Sequence, residues 1–261
     1  SVKNCGDFWS IFWDFSKIKG IKSKSRIKKS KIFYKNIFLP GSKLNFGENL
    51  LSKDNNEKAA TFISENGFRE TRNWNELNHN VSNIIKFLKE IKINKKDRIA
   101  AYMPNTIETV EAFIATTSLG LIWSSCSPDF GAKGVVERFS QIKPKVLFVT
   151  YEYFYNGKRI NILERIPEII RKIPSIKYVI VTKYPGQTNI IKNLKFNKAK
   201  FFYWSKLMKL NFSNIKFSKF DFEHELAILY SSGTTGKPKC ICHRNGGVLI
   251  QHKKEHQLHC D

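Results

Sequence analysis

Acidic residues are scarce in this sequence. Across 261 residues, 22 Asp and Glu face 45 Lys and Arg, a formal net charge of +23. A field of that sign favours polyanionic partners, from small phosphorylated molecules to nucleic acid. Long apolar runs are missing too: the best candidate, residues 107–123, is interrupted by Glu108 and Glu111, so no segment reads as a membrane span. No secretory leader pattern is legible. Cysteine is sparse and odd in number, with Cys5, Cys126, Cys240, Cys242 and Cys260 scattered along the chain. Such a set suits reduced thiols in a cytoplasmic setting rather than a disulfide framework. Cys240-x-Cys242-His243 with His252, His256 and His259 invites a metal reading, but no paired zinc spacing is present, so no metal ligand is assigned. Internal repeats and a Walker A sequence are both absent.

Part of the positive charge has a plain origin. Lysine is accompanied by many asparagines and isoleucines, the mixture that A/T-rich codons produce without functional demand. The densest basic stretch, residues 17–35, holds nine Lys and Arg and no acid. Its interleaved residues are mostly Ser, Ile and Gly, so it reads as a solvated, mobile connector rather than a nucleic-acid-binding arm. A basic nucleic-acid-binding protein remains the competing reading from a different class.

Elements follow from periodicity. Phe8, Trp9, Phe12, Trp13 and Phe15 recur at helical spacing and predict a short aromatic-faced helix. A hairpin is expected over 59–64 and 68–71 around Asn66-Gly67. Helices are expected at 74–91, 106–119, 135–142, 160–173 and 245–259. Strands are expected at 98–103, 146–150, 178–182, 201–203 and 226–230, with a buried run at 121–124. Strands alternating with helices predict an α/β fold: mostly parallel sheets flanked by helices, preceded by a small helical N-terminal segment. Ligands of such folds bind at the carboxyl ends of the strands.

One segment carries most of the chemistry. The apolar run Leu226-Ala227-Ile228-Leu229 leads into Tyr230-Ser231-Ser232-Gly233-Thr234-Thr235-Gly236-Lys237-Pro238-Lys239. Glycine lets the backbone approach an oxyanion and turn N–H groups toward it. Hydroxyls donate hydrogen bonds and lysine supplies charge. In Walker A sequences a Ser or Thr follows the lysine and the glycines stand further apart; here Pro238 follows Lys237. A surface turn rich in Gly, Ser and Thr is the alternative.

This loop resembles the phosphate-binding signature of the AMP-forming adenylate enzymes, [YF]-[ST]-S-G-[ST]-T-G-x-P-K, with Lys239 on the fixed lysine. Within that superfamily further segments are similar to the acetoacetyl-CoA synthetases, the acetoacetate–CoA ligases. These are Ala101-Tyr102-Met103-Pro104-Asn105, the stretch from Ser118 to Gly131 ending Ser127-Pro128-Asp129-Phe130-Gly131, Val136-Glu137-Arg138-Phe139-Ser140-Gln141-Ile142, and Gly246-Gly247 through Gln251-His252 to His259. The histidines belong to that last stretch, which weakens the metal reading further. Leu39-Pro40-Gly41 with Leu44-Asn45-Phe46 resembles the end of a small N-terminal region. The resemblance implies such a region over 1–51 with the basic connector inside it, and an incomplete AMP-binding domain over 52–261.

The activity it implies is activation of acetoacetate by ATP, through an acyl-adenylate, to acetoacetyl-CoA, with AMP and diphosphate released. ATP, Mg²⁺ and CoA are the implied cofactors and substrates; neither nucleic acid nor membrane is an implied partner. A ligase for another short-chain acid is the alternative. Ser231, Ser232, Gly233, Thr234, Thr235, Gly236 and Lys239 are expected to bind the ATP phosphates. Phe130 and Gly131, with Gly157, Lys158 and Arg159 of Tyr155-Asn156-Gly157-Lys158-Arg159, are expected at the CoA site, where Lys158 and Arg159 can pair with a phosphate. The other reading of Lys158 and Arg159 is two more surface charges. In this family the adenine-binding segments, the Mg²⁺-holding acid, the catalytic lysine and the C-terminal domain lie beyond the phosphate loop. The catalytic residues are therefore expected downstream of Asp261, and none is assigned within the sequence. The chain is expected to be a piece of a longer protein, inactive alone.

Overall fold

Short, near-continuous apolar runs build one doubly wound sheet in the computed structural model, which describes residues 3–186, 199–212, 215–231 and 236–260. Its strands are β1 (Arg98–Tyr102), β2 (Ile122–Cys126), β3 (Val146–Thr150), β4 (Tyr178–Thr182), β5 (Lys200–Tyr203), β6 (Glu225–Ser231) and β7 (Lys239–Arg244). They lie side by side in the order β5-β4-β3-β1-β2-β6-β7. Every neighbouring pair is parallel except β6 and β7, which form an antiparallel hairpin on one flank.

Alternation puts successive residues on opposite faces. Ile99, Ala101, Phe148 and Ile180 face one core cluster, while Ala100, Tyr102, Leu147, Val149 and Val179 face the other. The α-helices are α1 (Cys5–Phe15), α2 (Phe46–Leu50), α3 (Trp74–Glu90), α4 (Ile107–Ser118), α5 (Ala132–Ile142), α6 (Arg165–Lys172), α7 (Trp204–Leu207) and α8 (Asn245–Glu255). Buried residues of α3, α4 and α8 join the first cluster, and those of α5 and α6 join the second. The chain thus leaves the carboxyl end of β1 toward one face and the carboxyl ends of β2 and β3 toward the other, which makes the strand ends around β1 a switch point.

Local chemistry fixes the element ends. Asn73 caps α3 by accepting from Glu76 N at 2.8 Å, and the Glu76 carboxylate accepts in return from Asn73 N at 2.9 Å. The hairpin of Lys58–Ile63 and Arg69–Asn73 precedes it. From that hairpin Arg72 reaches Glu70 at 2.5 Å, Glu111 at 3.6 Å and Glu108 at 3.8 Å. Glu111 is fully buried and accepts from Asn80 Nδ2 at 2.8 Å. Burial, the largest influence, pushes its carboxyl up to about 8, and raises Glu108 as well.

The N-terminal residues are joined to this body. Strand Lys43–Leu44 pairs with both Gly20–Ile21 and Phe220–Asp221. Buried Asn45 donates to the carbonyls of Ser118 at 2.9 Å and Ser218 at 2.8 Å. The basic stretch 17–35 is more ordered than a mobile connector. Ile27–Lys28 pairs with Ile37–Phe38, Arg26 pairs with Asp7, and Lys22 pairs with Asp14 at 2.6 Å. Both acids of α1 thereby gain cationic partners from this stretch, a tertiary effect that local composition does not reveal.

Two element boundaries differ from expectation. The expected helix over 160–173 begins only at Arg165, because Glu152–Tyr155 and Lys158–Asn161 form an antiparallel hairpin. Its turn, Asn156-Gly157, has φ of 50° and 71°, the primed-turn geometry that Asn-Gly favours. The expected helix over 245–259 is α-helical to Glu255 and continues as a π-helical turn, His256–Cys260.

Candidate nucleotide and acyl-carrier site

β6 runs parallel to β2, with Ala227 opposite Trp123, so its carboxyl end lies at the same edge of the sheet as the switch point. There the segment rich in hydroxyls and lysines forms the β6–β7 hairpin, whose last pairs are Tyr230 with Cys240 and Ser231 with Lys239. Ser231 closes β6 and Lys239 opens β7. Gly236 has φ 92°, a conformation glycine adopts at little cost. Lys237 and Lys239 are exposed. Ser232, Gly233, Thr234 and Thr235 lie outside the described residues. So does Asp261, the position beyond which the catalytic residues are expected. No residue of the site is assigned a catalytic role.

The base of the hairpin is anchored from below. Ser124 of β2 donates to the Ile228 carbonyl at 2.8 Å, and its Oγ lies 3.2 Å from Tyr230 Oη. Burial, the dominant influence, raises the Tyr230 phenol. From α5, Gln141 Nε2 donates to the Pro238 carbonyl at 3.0 Å, and the Cys240 thiol donates to Gln141 Oε1 at 3.6 Å.

Beside the hairpin stands the segment after β2. Tyr102 Oη donates to the Phe130 carbonyl at 2.6 Å and lies 3.1 Å from that of Pro128. Arg165 Nη1 donates to Tyr102 Oη at 3.2 Å and to the Pro128 carbonyl at 3.0 Å. Phe130 is 38% exposed, and Gly131 caps α5 with open space where a Cβ would stand. A cleft lined by Met103, Pro104, Asn105, Asp129, Tyr153 and Tyr155 opens over the carboxyl ends of β1 and β2. Burial, helped by the nearby Asp129, pushes the Tyr153 phenol up to about 12. Buried Cys126 is likewise pushed up to about 12 by burial, which keeps it a thiol and not a nucleophile.

The expected CoA residues fall on two segments. Phe130 and Gly131 lie at this edge. Gly157, Lys158 and Arg159 sit on the turn and second strand of the 152–161 hairpin. Lys158 is exposed. Arg159 makes a two-pronged pair with Glu152, Nε to Oε2 at 2.7 Å and Nη2 to Oε1 at 2.8 Å, so its charge is already shared with a carboxylate. Gly157 N donates to Glu65 at 3.2 Å. Cys240 and Cys242 are exposed on β7, and among the described residues no group of three or more His, Cys, Asp or Glu gathers where a metal could be held.

Sequence reasoning gave Arg138, Gln141, Tyr102 and Arg165 no role. The spacing of Arg138 and Gln141, three apart on an expected helix directly after Phe130-Gly131, was the available signal. Tyr102 and Arg165 act across the fold, and no local pattern marks them.

The family model described as "AMP-binding enzyme" matches residues 52–259. The chain belongs to the AMP-binding enzyme family. It is 39% identical over 266 residues to the acetoacetyl-CoA synthetase of Xenopus tropicalis, covering 99% of this chain and 40% of that protein. It is 37% identical over 263 residues to the acetoacetyl-coenzyme A synthetase of Rhizobium meliloti (strain 1021), covering 100% of this chain and 39% of that one. A malonamoyl-CoA synthetase, vrtB of Penicillium aethiopicum, is 34% identical over 272 residues, covering 100% of this chain and 38% of that protein. Among solved structures, acetoacetyl-CoA synthetase from Streptomyces lividans matches with a TM-score of 0.88 and 30% identity, over 97% of this chain and 38% of that one. The chain spans about two fifths of the length of these relatives.

Proposed function

We propose that this chain supplies the phosphate-binding part of an AMP-forming acetoacetate–CoA ligase. The observation that carries the reading is the pairing of Tyr230 with Cys240 and Ser231 with Lys239 at the carboxyl edge of the sheet, on either side of the Gly-, Ser- and Thr-rich sequence, in a chain of the AMP-binding family. In the proposed reaction a carboxylate oxygen of acetoacetate attacks the α-phosphorus of ATP. The bond from that phosphorus to the bridging oxygen breaks, and pyrophosphate leaves. The thiol of CoA then attacks the acyl carbon and AMP departs. The contribution of this chain is to hold the β and γ phosphates in line and spread their charge. Ser231, Ser232, Gly233, Thr234, Thr235 and Gly236 offer hydroxyls and N–H groups, and Lys239 offers an ammonium. No carboxylate occurs from Tyr230 to Lys239, and the N–H, hydroxyl and ammonium groups there suit phosphate oxygens. Mg²⁺ then enters with the nucleotide, and no described residue is assigned to it.

On the CoA side, Phe130 and Gly131 border the path to the thiol, Lys158 presents an ammonium to phosphate, and the Gly157 N–H serves only by giving up its bond to Glu65. Arg159 serves there only by sharing its charge between Glu152 and the ligand. No helix among the described residues is long and apolar enough to cross a membrane. A second reading, a ligase for a different short acid, draws on the similarity to a malonamoyl-CoA synthetase.

Titration of Mg²⁺–ATP, pyrophosphate and AMP into the protein tests the phosphate assignment. Lys239→Ala is expected to weaken ATP and pyrophosphate at least tenfold, a loss of about 1.4 kcal/mol or more, and to leave AMP unchanged. Equal loss for all three ligands, or none, would sink the assignment.

A further inference from the structure

Arg138 and Gln141 lie three residues apart on α5, on one face of that helix, and that face touches both arms of the β6–β7 hairpin. The Arg138 guanidinium lies 4.1 Å from the centre of the Phe130 ring and 6.0 Å from that of Tyr230. Its Nη1 donates to the Gly134 carbonyl at 2.9 Å, one turn back on its own helix. Gly134 lies beside the stack: a Cβ there would be in ordinary van der Waals contact with Phe130 at 3.4 Å and Arg138 Nη1 at 3.5 Å. Among the described residues no carboxylate forms an ion pair with Arg138, although it is half-buried. Gln141 reaches the other arm at Pro238 and Cys240. Between the two, buried Phe139 packs against Tyr230 at 6.5 Å between ring centres.

We propose that Arg138 and Gln141 are positioning residues that brace the phosphate hairpin and lock it to the Phe130–Gly131 segment. The flat guanidinium ties Phe130 to Tyr230 through cation–π contacts on two rings. The Gln141 amide ties the returning arm to the same helix. The hairpin and the Phe130 segment therefore hold a fixed separation, and ordering one orders the other. The brace itself is independent of any ligand. Only its consequence, coupling between nucleotide and acyl-carrier binding, rests on the function proposed above.

Hydrogen exchange by mass spectrometry tests the brace without a ligand. Arg138→Ala is expected to speed exchange at least fivefold in both residues 127–131 and 228–231, with β3 and β4 unchanged. Arg138→Lys keeps the charge but not the flat stack, and is expected to recover less than half of the lost protection. Gln141→Ala is expected to act on residues 236–241 alone, and it keeps the test decisive should Arg138→Ala fail to fold. Lys133→Ala, on the same helix, is the control and is expected to change nothing. An effect confined to one segment, full recovery by lysine, or equal loosening of β3 and β4 would overturn the proposal. Adding pyrophosphate to the unmodified protein separates the two readings. Protection of 236–241 that spreads to 127–131 supports the coupling, whereas protection that stays local overturns it. An absent pyrophosphate response with the exchange pattern intact removes the phosphate assignment and leaves the brace standing.

Discussion

Glu111 shows how one residue can govern the response of the fold to pH. It is buried beside Arg72, Glu70 and Glu108, with Asn80 as its hydrogen-bond donor. Its folded-state value, about 8, lies above the ordinary carboxyl value of 4.5. The folded state therefore holds a proton that the unfolded chain releases between those values. The stabilisation is complete below about 4.5 and is lost as the pH rises through about 8. Glu111→Gln removes the titration and keeps the acceptor for Asn80. Denaturant titrations from pH 5 to 9 are expected to show a flatter profile for the variant, with a gain on the order of 1–3 kcal/mol at pH 9. An unchanged slope would contradict this account of the cluster. From the sequence, Glu108 and Glu111 only interrupted an apolar run; their pairing with Arg72 depends on a hairpin some forty residues earlier, and no local pattern encodes it. By contrast, the dense mixture of glycine, hydroxyl and ammonium groups from Ser231 to Lys239 stands out in the sequence itself, and its assignment to phosphate is the proposal made above.

At the scale of elements, short continuous apolar runs announced β1, β3, β4 and β6 directly, the pattern of strands buried on both faces. The 152–161 hairpin escaped because its strands are short and partly exposed, even though Asn156-Gly157 marked its turn. β7 was not among the expected strands. Its residues are mostly exposed, so neither alternation nor apolar density singled it out. The seat of α8 gives an element-scale prediction. A Cβ on Gly246 would lie 2.1 Å from Phe222 Cδ2, and Phe222 is buried against α1 through Trp13 at 6.4 Å. Gly246→Ala is expected to cost about 1–3 kcal/mol by overpacking, read as a lower midpoint in urea. Gly247→Ala, with open space around it, is expected to change stability by less than about 0.5 kcal/mol. Equal effects at the two glycines would show that α8 does not seat as described.

At the scale of the whole molecule, the sheet order brings three separate stretches to one edge: the ends of β1 and β2, the 152–161 hairpin and the β6–β7 hairpin. Parallel strands oriented the same way force this convergence, which is why an α/β reading of the sequence points to this edge for a ligand. The positive field of the chain suits the polyphosphates of ATP and CoA, and a nucleic-acid reading needs it for nothing further. Salt separates the two: nucleic-acid binding would weaken steeply with ionic strength and ignore ATP.

The central claim is best tested by AMP release from ATP in the full-length gene product, with acetoacetate, acetate and butyrate compared in the presence of CoA. The account predicts AMP and pyrophosphate formed in equal amounts with acetoacetyl-CoA, the highest kcat/KM for acetoacetate, and a fall of at least tenfold in Lys239→Ala. Formation of ADP and phosphate instead, or no dependence on the acid or on Lys239, would contradict it.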